Sequence, residues 1–195
     1  MLLHAMTLFN NSPEDWQRLD WQTLRDGGVA LYWRQEYLAD DVRWLAGQNY
    51  DIYNFDCERW RSEDEMYSDI GRVLRFSEWW GREWGHNADA LDDCLTDLPI
   101  RDDGGAVLVL NRFNVYASGS GSALMHSGRT EAEVVLDVMA GACRFFLLNG
   151  KRFMVLVQTE NPDIQIGSLG GRSPVWNRRE WLNAKRKPES LKETS

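Results

Sequence analysis

The chain is 195 residues long, 43% of them hydrophobic and 27% charged, and its formal net charge at pH 7 is −8. This length and composition are typical of a globular protein with one sizeable core and some added segments. The charge is unevenly spread: residues 1–143 contain 25 acidic and 12 basic side chains, whereas residues 144–195 contain 5 acidic and 10 basic ones. An acidic body repels phosphate, so it argues against nucleic acid as a direct ligand and favours a cationic protein partner.

The cysteines and the hydropathy of the chain indicate the cellular compartment and the cofactors to expect. Cys57, Cys94 and Cys143 form an odd set without CxxC spacing, which argues against a disulfide framework and a zinc site. The first nine residues, MLLHAMTLF, lack the basic region of a secretory signal, and no apolar run reaches membrane-spanning length. We therefore expect a cytoplasmic protein with no metal and no cofactor, whose oligomeric state the sequence leaves open.

The first predicted helix begins at Ser12-Pro13-Glu14-Asp15, where a hydroxyl cap, a first-turn proline and two acids follow one another. It is expected to run to about Arg25 and to end at Gly27-Gly28. Three further elements are predicted in the first third of the chain: a strand at Val29–Trp33, a helix near Asp40–Gln48 and a strand at Tyr50–Phe55.

The alternation of helices and strands continues. Ser62-Glu63-Asp64-Glu65 caps a helix, and Ala106–Leu110 is typical of a strand buried on both faces. A helix at Glu131–Cys143 and a second buried strand at Arg152–Val157 follow, while the composition of residues 117–122 (ASGSGS) predicts a flexible surface loop rather than a phosphate cradle. This order predicts an α/β fold with parallel strands joined by right-handed crossovers. Two of these helices have apolar faces that are expected to point inward. The inward residues are Met66, Ile70, Val73 and Leu74 in the helix after Ser62, and Val134, Val135, Val138, Met139 and Ala142 in the helix at Glu131–Cys143.

The most unusual stretch is Trp79–Leu98, WWGREWGHNADALDDCLTDL, in which three tryptophans and two glycines precede a short amphipathic helix. Asn87 is the expected N-cap, because its side-chain oxygen can accept from the backbone N–H groups of the first turn. Four aspartates occupy the polar face: Asp89, Asp93 and Asp97 at i, i+4 and i+8, with Asp92 alongside. Like charges at this spacing destabilise a helix by about 0.2–0.5 kcal/mol per pair. The face is therefore either a solvated helix surface or a surface that binds a basic partner.

Two stretches carry a resemblance to a known family: Phe55–Gly81 (FDCERWRSEDEMYSDIGRVLRFSEWWG) and His86–Leu98 (HNADALDDCLTDL). The segment FSEWWG at residues 76–81 is similar to a family loop of the form F-P-[DE]-Y-[YF]-G, with serine for proline and tryptophans for tyrosines. The segment NADALDDCL at residues 87–95 keeps every signature letter of the motif N-x-D-A-L-x-D-x-L. Over roughly Tyr50–Glu160, the chain thus resembles the barstar family of ribonuclease inhibitors.

The resemblance implies a compact fold with a three-stranded parallel sheet packed by helices. It also implies that the acidic helix and the loop before it occlude the active site of a basic ribonuclease toxin, for which this chain would be the bacterial immunity protein. Carried over by position, Asp93 matches the family's central inhibitory aspartate and Asp89 its acidic neighbour one turn earlier. Asn87 matches the asparagine that begins the helix, and Trp79 the loop tyrosine. The full set of candidate partner-binding residues is Asp89, Asp93, Asn87, Asp92, Asp97, Trp79, Trp80, Trp84, Gly85 and His86.

Three departures from the family pattern distinguish this chain. Residues 82–85 (REWG) separate the loop from the helix motif, so Trp84-Gly85 is an alternative match for the aromatic residue and glycine of the loop. Asp92 stands where the family has an aromatic residue between the two key aspartates. A family acidic residue on the later helix aligns near Gly141, so that contact is absent or replaced, and we expect a toxin other than barnase.

The chain is expected to divide into an N-terminal extension (1–48; helix, short strand, helix), a barstar-like domain (49–160) and a basic, partly disordered C-terminal extension (161–195). No histidine stands in a metal-ligand spacing and no serine in a nucleophile motif, so the sequence does not indicate an enzyme. The alternative to an inhibitor is a barstar-fold module that has lost inhibition and serves regulation or scaffolding, with RNA contacting the basic segment Arg172–Lys187.

Overall fold

The computed structural model describes residues 9, 12–80 and 84–182, and at its centre lies one sheet of five strands. These are β1 (Val29–Tyr32), β2 (Tyr50–Asp56), β3 (Gly105–Asn111), β4 (Phe153–Gln158) and β5 (Val175–Trp176). Their order across the sheet is β2-β3-β4-β1-β5, and every pairing is parallel. The predicted α/β fold with parallel strands is thus confirmed.

Helices cover both faces of the sheet. Within the described residues they are α1 (Pro13–Trp16), α2 (Leu19–Arg25), α3 (Gln35–Gly47), α4 (Glu63–Val73), α5 (Phe76–Trp79), α6 (Ala88–Thr96), α7 (Phe113–Ser118) and α8 (Glu131–Leu148). Helices α2 and α3 pack on one face, and α4, α6, α7 and α8 pack on the other. In the ranges that the structure describes, no helix combines the length and the apolar character needed to cross a bilayer.

The middle strands are buried from both sides, as the run AVLVL predicts. Val107 and Val109 of β3 face α2 and α3, whereas Leu108 and Leu110 face the helices of the opposite layer. All six residues of β4 are buried as well. A parallel sheet covered on both faces needs such continuous apolar strands, because neither face contacts water.

The expectation of a three-stranded sheet was wrong for the chain as a whole. Strands β2, β3 and β4 are the three expected ones, and the segments on either side of them each add a strand. All four residues of β1 are buried, and they pair with β4 from Val29↔Val155 to Tyr32↔Gln158. Strand β5 pairs in turn with β1. The strand at Val29 was predicted, but its partner was not, because local periodicity does not specify which sheet edge a strand will cover.

A buried carboxylate ties the N-terminal segment to the sheet. Asp20 of α2 has no exposed surface and accepts hydrogen bonds from Arg18 Nε and Nη2 at 3.0 and 2.8 Å. It also accepts from Tyr50 Oη of β2 at 2.8 Å, and Arg152 Nη1 lies 3.7 Å away. The extended backbone of Arg18 brings its guanidinium to Asp20. For that reason the predicted continuous helix from residue 12 to residue 25 is divided into α1 and α2.

A second buried carboxylate ties down the C-terminal segment. Glu180 accepts hydrogen bonds from the backbone N–H groups of Trp33 (3.1 Å) and Arg34 (2.7 Å), at the point where β1 ends and α3 begins. The side-chain amide of Asn177 also donates to the Glu180 carboxylate. Glu180 therefore caps α3 from a segment about 145 residues further along the chain, a contact that no local pattern could predict.

Three other boundaries differ from the predictions. Helix α3 begins at Gln35 rather than near residue 40, and α8 continues five residues past Cys143. Residues 117–122 belong to α7 and a short 3-10 turn rather than to a flexible surface loop. Gly121 is buried there, since a Cβ at this position would lie 2.7 Å from the Tyr116 ring, and Ser120 Oγ donates to Trp60 O at 2.7 Å. Residues 183–195, including the end of the basic segment, lie outside the described residues.

Candidate partner-binding site

The candidate site is the solvent-facing side of α6. The N-terminal cap of this helix and its buried inner face together fix its orientation. The Asn87 side chain caps the helix as predicted, with Oδ1 accepting from Ala90 N at 2.9 Å. Leu91, Cys94 and Leu95 are fully buried on the inner face. A helix held in this way presents its opposite face in a single orientation.

The two central aspartates lie on that opposite face. Asp89 and Asp93 are exposed, and neither carboxylate makes a hydrogen bond or an ion pair with any residue that the structure describes. Each carboxylate on a helix repels its neighbours one turn away, and no basic side chain within residues 12–80 or 84–182 pairs with either of them. The arrangement is suited to a partner that brings the missing positive charges.

Asp92 lies to one side of these two, facing α8. A Cβ at Gly141 of α8 would lie 3.8 Å from Asp92 Oδ1. Burial raises the pKa of Asp92, and the carboxylates of Asp93 and Asp89 raise it further. The two departures from the family pattern, Asp92 and Gly141, are therefore neighbours in space. The fourth aspartate, Asp97, occupies the C-cap position, directly after the last residue of α6.

Two of the candidate tryptophans, Trp79 and Trp80, pack against the core and are half-buried rather than fully exposed. Trp79 Nε1 donates to Leu74 O at 3.0 Å, and the Trp79 ring meets Phe76 edge-on with centroids 5.2 Å apart. Trp80 packs edge-on against Trp79 at 6.0 Å and is also half-buried. Their remaining exposed surface lies in the segment that leads toward α6, so a role in partner contact stays a prediction.

Trp84 is seated on α4 through a glycine that sequence reasoning did not single out. Its indole lies directly over Gly71, where a Cβ would come within 2.5 Å of Trp84 Nε1. Tyr67 and Phe76 surround the same indole, with ring centroids 5.8 and 5.0 Å away. A lone glycine in a predicted helix costs about 1 kcal/mol relative to alanine, and that cost was the signal that could have indicated a packing role.

Gly85 and His86 complete the connection between Trp84 and α6. The Gly85 carbonyl accepts from Asn87 N at 3.0 Å. The His86 ring stacks on Tyr67 with centroids 6.2 Å apart, and His86 Nδ1 contacts the carboxylate of Asp64 in the first turn of α4. Residues 81–83 lie outside the described residues, so both possible matches to the family loop stay open.

Further acidic side chains lie beneath this surface. Glu131, the first residue of α8, is only 4% exposed. Burial raises the pKa of Glu131, and the carboxylate of Glu63 raises it further. The Tyr67 hydroxyl between α4 and α6 also has a raised pKa, through burial first and then through Glu63, Glu131 and Asp89. The acidic groups around α6 therefore include Glu63 and Glu131 as well as the aspartates of the helix itself.

The side chains at the candidate site are mainly carboxylates and aromatic rings. Among the described residues, no group of three or more histidine, cysteine or acidic side chains is arranged to hold a metal ion. Cys57, Cys94 and Cys143 are all buried, and none of the three forms a disulfide with another described residue. What remains at the surface is a rigid helix with uncompensated carboxylates beside an anchored aromatic segment.

Fold and site together describe a parallel α/β protein in which the acidic face of α6 is exposed. The family model for Barstar (barnase inhibitor) matches residues 50–158, from the first residue of β2 to the last residue of β4, which is more than half of the chain. The chain belongs to the barstar family, as the sequence motifs indicated, and members of that family are inhibitors rather than enzymes. No curated protein matches the chain.

Proposed function

We propose that this protein inhibits a basic ribonuclease by laying α6, with the aromatic segment before it, over the nuclease active site. The observation that carries the proposal is the pair of exposed carboxylates, Asp89 and Asp93, which lie one turn apart without a neutralising partner among the described residues. Membership of a family of nuclease inhibitors supports the same function.

The chemistry of the two surfaces is complementary. A ribonuclease active site gathers arginine, lysine and histidine side chains to hold phosphate and to transfer protons. Carboxylates in the place of the phosphate form charge-assisted hydrogen bonds with those groups and exclude the RNA. Because Leu91, Cys94 and Leu95 already hold α6 in position, little ordering is needed when the complex forms.

The pair formed by Asp92 and Gly141 supports a partner other than barnase. At this place the chain offers a carboxylate on α6 where the family has an aromatic side chain, and no side chain on α8 where the family has an acid. The nuclease that fits has a cationic group opposite Asp92.

The test is an RNA-cleavage assay with a basic ribonuclease that the purified chain captures from the cell that produces it. Increasing amounts of the purified wild-type chain should stop cleavage at about one molecule per nuclease. The variant Asp89→Asn/Asp93→Asn should need at least about 100-fold more protein, since hot-spot charges at such interfaces contribute 2 kcal/mol or more each. Its free energy of unfolding should stay equal or rise slightly, because like-charge pairs are removed.

The matched control is Asp163→Asn, which makes the same change of charge at an exposed carboxylate beyond β4. It should inhibit like the wild type. Raising the salt concentration should slow association of the wild type steeply and that of the double variant much less. Equal inhibition by the double variant and the wild type would show that α6 is not the surface that binds the nuclease. If the wild-type chain binds the nuclease but RNA cleavage continues unchanged, the protein is a non-inhibitory interaction module.

A further inference from the structure

Helix α8 has a single basic residue, Arg144, and its guanidinium lies close to the acidic face of α6. A Cβ at Gly141, three residues earlier on α8, would lie 3.9 Å from Arg144 Nη2 and 3.8 Å from Asp92 Oδ1. The missing side chain at Gly141 therefore leaves a gap with a carboxylate on one side and a guanidinium on the other. Asp92 and Arg144 form no ion pair with each other, and both side chains are exposed.

A turn of the C-terminal segment positions the Arg144 guanidinium. Gly170 and Gly171 form the tip of this turn with φ of +58° and +83°, values that favour glycine. The turn is fastened to the rest of the protein, since Gly170 N donates to Asp137 Oδ1 of α8 at 2.5 Å and Leu169 is buried in the core. A Cβ at Gly170 would come within 1.8 Å of Arg144 Nη1, so the guanidinium lies directly against the glycine backbone.

The charge of Arg144 is not neutralised within the part of the chain that the structure describes. Its guanidinium forms no hydrogen bond or ion pair with any residue there. Arg129, just before α8, differs in this respect, because it is bound by Asp137 at 2.8 Å and donates to the Ser168 carbonyl at 3.2 Å. Arg144 is therefore a positioned cation beside an acidic surface, and an acidic group of a partner would complement it.

We propose that the nuclease bound by α6 carries an acidic side chain opposite Arg144, next to the basic group opposite Asp92. This inference rests on the inhibitory function proposed above and adds a specificity-determining residue to it. The opposite charges on the two sides of Gly141 fix the orientation of the nuclease on the chain. A nuclease with only basic groups at this place meets Arg144 as a like charge, and such a juxtaposition disfavours the wrong partner.

The test compares the affinity of the captured nuclease for the wild-type chain and for Arg144→Glu. The substitution makes an acidic protein more acidic, so long-range attraction to a basic nuclease would by itself strengthen binding. An acid opposite Arg144 reverses the sign, and the affinity should fall by at least about tenfold. The matched control is Arg178→Glu, because Arg178 is exposed and lines a pocket with Leu19 and Gln22 of α2, on the other face of the sheet. This control should bind the nuclease as tightly as the wild type or slightly more tightly.

A second measurement locates the acid on the nuclease. Acidic residues around the nuclease active site are replaced by lysine one at a time, and one of these variants should restore tight binding to Arg144→Glu while binding the wild-type chain more weakly. Urea unfolding checks that Arg144→Glu is folded.

The outcomes separate this inference from the function on which it rests. Binding by Arg144→Glu that equals or exceeds that of Arg178→Glu, or the absence of any restoring lysine, would overturn the inference. In either case Asp89→Asn/Asp93→Asn would still lose inhibition, and the proposed function would stand. A wild-type chain that does not inhibit the nuclease would overturn the proposed function and this inference together.

Discussion

The carboxylates of the terminal segments and those of α6 have opposite surroundings. Asp20 and Glu180 are fully buried, and their oxygens accept hydrogen bonds from guanidinium, hydroxyl, amide or backbone donors. Asp89 and Asp93 are exposed, and no described residue donates to their carboxylates. The first pair joins segments that are distant in sequence, so its role is to stabilise the fold. The second pair makes no hydrogen bond or ion pair within the described residues, so its charge is available for the proposed partner.

Removing the charge of Asp20 should have the largest effect on stability. Asp20→Asn leaves Arg18 and Arg152 near a buried site without their counter-ion, and breaking such a buried pair costs about 3–5 kcal/mol. The measurement is urea unfolding followed by circular dichroism. Asp26→Asn, at the surface end of the same helix, should change the free energy of unfolding by about 1 kcal/mol or less. Similar losses for the two variants would contradict the distinction between buried and exposed carboxylates.

Glu180→Gln should have the next largest effect. The variant keeps the shape of the side chain but weakens the two bonds from Trp33 N and Arg34 N, and hydrogen bonds to a charged group contribute about 1.5–3 kcal/mol. The amides of residues 33 and 34 should exchange with solvent faster in hydrogen-exchange measurements. Glu36→Gln is the control, because Glu36 lies in the first turn of α3 with an exposed side chain. If the control exchanges as fast as Glu180→Gln, the long-range cap is not important for α3.

Gly71→Ala tests whether the aromatic segment before α6 depends on its seat on α4. Alanine favours a helix by up to about 1 kcal/mol, but here its methyl group must displace the Trp84 indole, and overpacking costs about 1–3 kcal/mol. We expect a stability close to that of the wild type, a shifted Trp84 indole signal in ¹⁵N NMR and weaker nuclease inhibition. Gly47→Ala in α3 is the control, since a Cβ there meets no atom within 4 Å. An unmoved indole signal in Gly71→Ala would contradict this role.

The smallest effect is expected from Asp92→Asn, and it should depend on pH. The folded state raises the pKa of Asp92, so the protein binds this proton more tightly when folded than when unfolded. Ionised Asp92 therefore destabilises the fold at pH 7, and the variant should be a few tenths of a kcal/mol more stable there. The advantage should disappear as the pH falls below about 4, where the carboxyl is protonated in both states. Thermal unfolding at both pH values measures it, with Asp163→Asn as the control that should show no such gain.

What the sequence could predict is what depends on neighbouring residues. The caps at Ser62 and Asn87 and the buried runs of β3 and β4 follow from local spacing, and the structure confirms them. The motif NADALDDCL, together with the FSEWWG segment and the order of the elements around them, indicated the family. The placement of β1 and β5 and the cap by Glu180 depend on contacts between residues more than 100 positions apart. Periodicity carries no information about such pairs, and so the sheet was predicted two strands too narrow.

Glu180 also has a consequence for small ligands. In open parallel sheets, anionic ligands commonly bind beyond the carboxyl ends of the strands, where two adjacent strands lead to opposite faces, and helix N-termini supply the donors. Strands β1 and β4 form such a junction, since β1 leads into α3 on one face and Ile164 and Leu169 after β4 pack on the other. The Glu180 carboxylate occupies the amides at the head of α3. The protein thus places its own carboxylate at the position where a nucleotide phosphate would otherwise bind.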